Sequence, residues 1–238
     1  MISRKEAKQD AKNQLRGQWG VAVGAFFVIG LISLGVGLVT TFIPLLGGII
    51  SISLTGIITL GMCAFSLYFA QGLVPRFEQI FEGFTQFTKA IGGIWWMQLW
   101  LFIWTLPMVL SMIFIPFMIF MNKTLLTLLL ILMVLLSIPV LIKTLSYSMM
   151  FFILVDRPDL GVREALAESK AITEGSKWQL FVTDLSFIGW GILSALTLGV
   201  GLLWLIPYKK ITMANIYEQI KNQTIIAEEI LEDKEELL

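Results

Sequence analysis

Apolar and polar positions divide this chain into long uncharged runs separated by short charged segments. The first run extends from about Val21 to Ile43 and the second from about Ile49 to Val74, with Pro44, Gly47 and Gly48 forming a tight turn between them. Roughly 20 helical residues cross a hydrocarbon core about 30 Å thick, so each run predicts a transmembrane helix. None alternates polar and apolar residues as a membrane strand with a wet lumen face must. A third run covers residues 94–121, where Pro107 and Pro116 should kink the helix. A fourth covers 124–142, after a turn at Asn122 and Lys123, with Pro139 and Lys143 at its far end. Residues 144–155 carry the chain onward. Between Trp178 and Lys209 the only charge is Asp184, a length too great for one span and too small for two. A turn at Gly199 to Gly201 resolves it into spans at 179–198 and 201–217.

The charged segments between these runs have helical periodicity of their own. Ser3 and Glu6 have capping-box spacing at the head of a basic helix, residues 3–16, which Gly17 ends and Trp19 anchors at the membrane boundary. In residues 76–91, Phe77, Ile80, Phe81, Phe84, Phe87 and Ile91 recur every three or four positions, predicting a surface helix that Gly92 and Gly93 stop before Trp95 and Trp96. In residues 160–174, Val162, Ala165, Leu166, Ser169 and Ile172 lie opposite Arg163, Glu164, Glu168, Lys170 and Glu174. Asp159 is placed to cap this third helix, and Gly175 and Trp178 close it. The motif of surface helix, glycine, tryptophan and two spans thus occurs three times. It is either an internal repeat or the ordinary punctuation of short loops.

Basic residues orient the chain. Arg4, Lys5, Lys8, Lys12 and Arg16 precede the first span, Arg76 and Lys89 lie between the second and third, and Arg157, Arg163, Lys170 and Lys177 follow the fourth. Lys123 alone falls on the opposite side. Lysine and arginine collect in short cytoplasmic loops, so both termini are expected inside. The resulting fold class is an all-α integral membrane protein: six transmembrane helices in three hairpins, with interfacial amphipathic helices on the cytoplasmic side. One polytopic domain spans residues 1–222, and residues 223–238 form an acidic, solvated, partly frayed tail. The first apolar run is too long for a signal-peptide core and should remain as a span.

Composition agrees. Of 238 residues, 57% are hydrophobic and 14% charged, against about 45–50% and about 25% in soluble domains. The 17 basic and 17 acidic side chains balance, so net charge predicts no nucleic-acid partner. With no histidine and Cys63 as the one cysteine, zinc sites and histidine-based triads lack their parts. No phosphate-binding glycine loop occurs, and no cofactor is expected.

Three groups of residues carry candidate chemistry. Asp184 lies roughly 9 Å inside the boundary at 1.5 Å per helical residue, where Lys143, Lys209 and Lys210 could join it in an intramembrane polar cluster. Lys209 itself would lie about 12 Å deep in a straight sixth helix. Such charges pair, snorkel or line a wet pocket. The second group, Arg4, Lys5, Lys8, Lys12 and Arg16, could contact anionic lipid at about 1 kcal/mol per basic residue. The acidic set Asp156, Asp159, Glu164 and Glu168 reads either as a solvated face or as paired carboxylates, since Glu164 and Glu168 share a helix face.

The segments RKEAKQDAKNQLRGQWG, DRPDLGVREALAESKAITEGSKW and LSFIGWGILSALTLGVGLLWLIPYKKITMANIYEQI resemble a family of bacterial multi-pass membrane proteins, found largely in Gram-positive bacteria and catalogued as a domain of unknown function. Its members resemble the membrane domain fused to some glycerophosphodiester phosphodiesterases. This chain lacks the phosphodiesterase domain, so that activity does not carry over. The shared positions are Gly17, Trp19, Asp156, Pro158, Ser169, Gly175, Trp178, Phe181, Ser186, Gly189, Trp190, Gly199, Gly201, Pro207, Tyr208 and Tyr217, and the resemblance implies no catalytic role for them. It implies a bacterial plasma membrane and supports six spans. The first functional expectation is a non-enzymatic membrane protein of envelope maintenance, or of resistance or immunity to membrane-active peptides, acting through lipid or partner contacts. The second is a transporter or lipid-translocating protein with a polar pocket near Asp184. An intramembrane enzyme acting on lipid through the acidic set is the third.

Overall fold

The computed structural model describes residues 3–116, 118 and 123–236, with side chains for all of these but 44, 45 and 227–236. Every element in this range is helical. Helix α1, Arg4–Leu15, is capped by the Ser3 hydroxyl accepting from the Glu6 amide at 3.4 Å, and Gly17 ends it with φ of 80°. Only glycine enters that left-handed region without a steric cost. The long helices α2, Trp19–Thr41, and α3, Pro44–Ala70, follow. Pro44 opens α3 rather than preceding it, because the first helical position has no use for the missing N–H. Gly47 and Gly48 accordingly lie within α3.

The chain from 76 to 91 departs from the expected surface helix. It forms a 3-10 helix, Phe77–Phe81, a single turn α4, Glu82–Thr85, and then enters α5, Phe87–Ile113, without a stop. Close packing decides this. A methyl group on Gly61 would collide with the Ile80 carbonyl, and one on Gly83 with the Ile57 carbonyl, so the segment is pressed backbone to backbone against α3. Gly93 stops nothing: it lies inside α5, where an added methyl would meet Leu154, Met150 and Phe151 at 3.3 to 3.4 Å. The threefold punctuation therefore fails at its second copy. The expected turn at Asn122 lies outside the described residues.

Helix α6, Lys123–Tyr147, continues past Pro139 and Lys143, and α7, Met150–Asp156, follows almost directly. Residues 144–155, expected as a connection, are instead the most deeply buried part of the protein: Met150 to Leu154 are all buried, as are Leu145, Ser146, Tyr147 and Met149. Helix α8, Val162–Ile172, starts from Gly161, whose amide donates to Glu164 Oε2 at 2.8 Å. Glu164 caps this helix, not Asp159. Gly175 closes the corner with φ of 79°, and α9, Lys177–Leu196, leads into a turn with Leu198 and Gly199 at φ of 53° and 87°. The last helix, α10, Leu202–Glu236, is unbroken for 35 residues. Its backbone runs helically through the expected boundary at 222 and the tail expected to fray.

Helix α3 is the hub, touching α1, α2, α4, α5, α7 and α10. Leu60, Cys63 and Leu67 on one side join α5, α7, α8 and α10. Ile58, Phe65 and Phe69 on the other meet Phe26 and Ile29 of α2, Leu15 of α1 and Ile211 of α10, with Phe65 edge-on to Phe26 and Phe69 at 6.0 and 5.3 Å. Burial is one-ended. It falls in the first half of α2, the second half of α3, the start of α5 and the end of α6. The opposite ends expose Leu34, Leu38, Ile103, Leu110, Leu128 and Leu135. So much exposed apolar surface is far beyond what a soluble monomer carries and is compatible with lipid contact.

Among the described residues, five helical stretches are long and apolar enough to cross a membrane: Trp19–Thr41, Leu46–Ala70, Phe87–Ile113, Lys123–Asp156 and Lys177–Leu196. Helix α10 is not among them, because Lys209 and Lys210 interrupt its apolar start.

Candidate functional site

The polar chemistry lies at the buried end of the bundle, in three neighbouring parts. The first is centred on Asp156, the last residue of α7, whose side chain is 10% exposed. Its carboxylate accepts from Tyr217 Oη at 3.0 Å and pairs with Lys221 Nζ at 2.7 Å, both on α10. Tyr217 stacks on Phe152 with ring centres 5.7 Å apart. Beside this node Arg157 pairs with Glu168. Lys89 Nζ donates to the Pro158 carbonyl, tying the start of α5 to the same loop. A cavity of about 220 Å³ lies between these groups and Thr224.

The second part is a tryptophan ladder on α5. Trp96, Trp100 and Trp104 stand four residues apart and so line one helix face. A cation approaches each ring: Arg163 lies 4.8 Å from Trp96, Lys170 5.4 Å from Trp100 and Lys143 4.8 Å from Trp104. Lys170 is also 5.4 Å from the Tyr147 ring. Cations are attracted to the negative face of an aromatic ring, so the basic side of α8 is occupied by its own protein. The spacing of four was visible in the chain, but Trp95 and Trp96 read there as interface markers.

The third part surrounds α1. Ala7, Ala11 and Leu15, four residues apart, are fully buried against α3 and α10. Polar contacts reinforce this docking. Gln14 and Asn215 exchange amide hydrogen bonds at 3.0 and 2.8 Å, the Ser3 amide donates to Gln219 Oε1 at 3.0 Å, and Tyr208 Oη donates to the Lys8 carbonyl at 3.3 Å. Lys8 Nζ reaches α9, donating to Ser186 Oγ at 2.5 Å and lying 4.5 Å from the Phe187 ring. Burial, with the nearby Arg4 charge adding to it, holds Lys8 below the usual lysine range. Arg4, Lys5, Lys12 and Arg16 are exposed. A groove of about 500 Å³ opens beside α1, lined by Lys8, Lys12, Trp19, Trp190, Leu193 and Trp204 among others.

Of the expected intramembrane cluster, only one pair forms. Asp184 Oδ1 meets Lys209 Nζ at 2.8 Å, with side chains 37% and 44% exposed. Lys143 instead lies over the Trp104 ring of α5, against which α6 packs. Lys210 is half-buried on the side of α10 towards Cys63. The acidic set does not converge either: Asp156 and Glu168 are each paired with a cation, Glu164 caps α8, and Asp159 is exposed. Among the described residues no three His, Cys, Asp or Glu side chains gather as a metal site.

Several positions on which the resemblance rests have local work here. Ser169 Oγ donates to the Ser146 carbonyl at 2.8 Å, Gly199 takes the left-handed turn, and a methyl on Gly201 would clash with Ser194. No curated protein and no solved structure matches this chain. The family of proteins of unknown function designated DUF975 matches residues 1–224, and the chain belongs to it.

Proposed function

We propose that this protein is a non-enzymatic integral membrane protein of the bacterial cell membrane, acting in envelope maintenance or in resistance to membrane-active peptides through contact with anionic lipid. Its six spans form three hairpins, with both termini cytoplasmic. The observation that supports this best is the unequal use of cations. Those of α8 lie over tryptophan rings and the preceding Arg157 is held by Glu168, whereas Arg4, Lys5, Lys12 and Arg16 stand exposed on a helix firmly docked to the bundle. A fixed cationic face at the membrane boundary attracts anionic headgroups at about 1 kcal/mol per basic residue. Pairing with Asp184 lowers the cost of carrying Lys209 in a sixth span.

The test is a deletion strain challenged with cationic membrane-active peptides and complemented with the wild type or with Arg4→Gln, Lys5→Gln and Arg16→Gln combined. Raised sensitivity that only the wild type restores is expected. Unchanged sensitivity on deletion, or full rescue by the triple variant, would sink the proposal. Accessibility of cysteines introduced near Gly199 and Lys221 checks the sixth span, which requires them on opposite sides.

A transporter or lipid-translocating role is the second reading, favoured by the partial exposure of the Asp184–Lys209 pair. For that reading Asp184→Asn must fold normally yet abolish the phenotype.

A further inference from the structure

The groove beside α1 has two chemically distinct parts. Its walls are apolar and largely aromatic: Trp19 at the start of α2, Trp190 and Leu193 on α9, and Trp204 on α10. Lys8 and Lys12, one helical turn apart on α1 and therefore on one face, contribute the cationic part. Its volume of about 500 Å³ lies within the range of small-molecule sites.

The charges there are not compensated by protein. Among the described residues the ion pairs are Arg157–Glu168, Lys209–Asp184 and Lys221–Asp156, and neither groove lysine takes part in one. Lys8 is half-buried, with a neutral hydroxyl and an aromatic ring as its partners. A partly desolvated cation without a counter-charge is costly and is relieved by an anion. The walls require that anion to carry hydrocarbon. Trp190, Leu193 and Trp204 are exposed large apolar residues that a free phosphate would leave uncovered.

We propose that this groove holds one anionic glycerophospholipid, with its phosphate on Lys8 and Lys12 and an acyl chain along Trp19, Trp190, Leu193 and Trp204. A zwitterionic lipid would bring its own cation against the two lysines and so bind less well. This deepens the lipid-contact reading above: a cationic face satisfied by any anionic surface becomes one built site with a defined occupant.

Native mass spectrometry of the full chain in detergent tests it, with equimolar phosphatidylglycerol and phosphatidylcholine of identical acyl chains. One phosphatidylglycerol per chain is expected, retained at collision energies that strip phosphatidylcholine. Excess glycerol 3-phosphate should not displace it. Lys8→Gln with Lys12→Gln should lower phosphatidylglycerol affinity by about thirtyfold and remove the preference. Leu193→Trp, which fills the groove from an exposed position, should remove both adducts. The Arg4→Gln, Lys5→Gln and Arg16→Gln variant should keep its lipid, so failure of the cationic face in cells and failure of the groove are separately visible. Equal retention of the two lipids, displacement by glycerol 3-phosphate, or an adduct surviving Leu193→Trp would each overturn the proposal. Should the double lysine variant not fold, the Leu193→Trp result and the competition decide alone.

Discussion

Helices α1 and α8 are built alike and used differently. Each is short, begins with a local cap, ends at a glycine with φ near 80°, and leads to a tryptophan and a long apolar helix. Each buries a stripe of small and apolar residues, Ala7, Ala11 and Leu15 in one and Ala165, Leu166 and Ser169 in the other. The difference lies in their charges. Around α8, Arg163 and Lys170 lie over tryptophans, Glu168 holds Arg157, and Asp156 holds Lys221. Around α1 most contacts to the bundle are amides, hydroxyls and carbonyls, Lys8 alone reaching an aromatic ring, and among the described residues none of its cations meets a carboxylate in an ion pair. An amphipathic helix can thus be fastened by its charges, or mainly by neutral contacts so that most of its charges face something else. The first arrangement stabilises the fold. The second leaves binding capacity.

The comparison can be broken most sharply at Asp156. Asp156→Ala leaves Lys221 and Tyr217 without their partner and should cost about 2–3 kcal/mol, less than for a fully buried pair because Lys221 is 35% exposed. Gln14→Ala, the corresponding loss beneath α1, breaks a neutral pair and should cost about 1 kcal/mol. Unfolding midpoints in detergent would compare them, and equal losses would contradict the distinction between charged and neutral fastening.

The shared feature is the buried stripe. Leu15→Ala and Leu166→Ala should each cost about 2–3 kcal/mol, since both side chains are essentially inaccessible and leave a cavity. A much smaller loss for Leu15 would mean that α1 detaches from the bundle in solution, which proteolysis at Arg16 would reveal.

Smaller effects are expected from the helix stops. Gly17→Ala and Gly175→Ala both force a side chain into the left-handed region, at about 1–2 kcal/mol each. Open space surrounds both glycines, so strain and not a clash sets the size, and the two losses should agree in chemical denaturation.

The smallest effect carries the most information about use. Lys170→Ala removes a cation from two aromatic faces and should cost about 0.5–1 kcal/mol. Arg16→Ala should leave stability unchanged and instead reduce the difference in thermal midpoint between phosphatidylglycerol and phosphatidylcholine micelles. The reverse pattern would exchange the roles assigned to the two helices.

Local features of the chain were legible without the structure. Uninterrupted apolar runs marked the helices that could cross a membrane, and Gly17, Gly175 and Gly199 marked turns because their conformation depends on the residue itself. That Asp184 calls for a basic partner was also legible, but not which of Lys143, Lys209 and Lys210 pairs with it. Residues 144–155 were not. Hydropathy cannot tell a side chain facing lipid from one facing protein, because both surroundings are apolar, and so the tightest core passed for a connection. Gly93 was misread for a related reason: a glycine that admits a neighbouring helix and one that ends its own helix look the same in the chain.

What the sequence determined by itself was therefore the presence and approximate extent of long apolar helices and the stops at Gly17, Gly175 and Gly199. Only the tertiary structure decided which cations are occupied and which are not. Lys143, Arg163 and Lys170 become structural because α5 turns its tryptophan face towards them, while Lys8, held by Ser186 and the Phe187 ring, and Lys12 line a groove with no ion pair among the described residues. Charge is a property of a residue, but its compensation is a property of distance, and distance between residues far apart in the chain is set by packing.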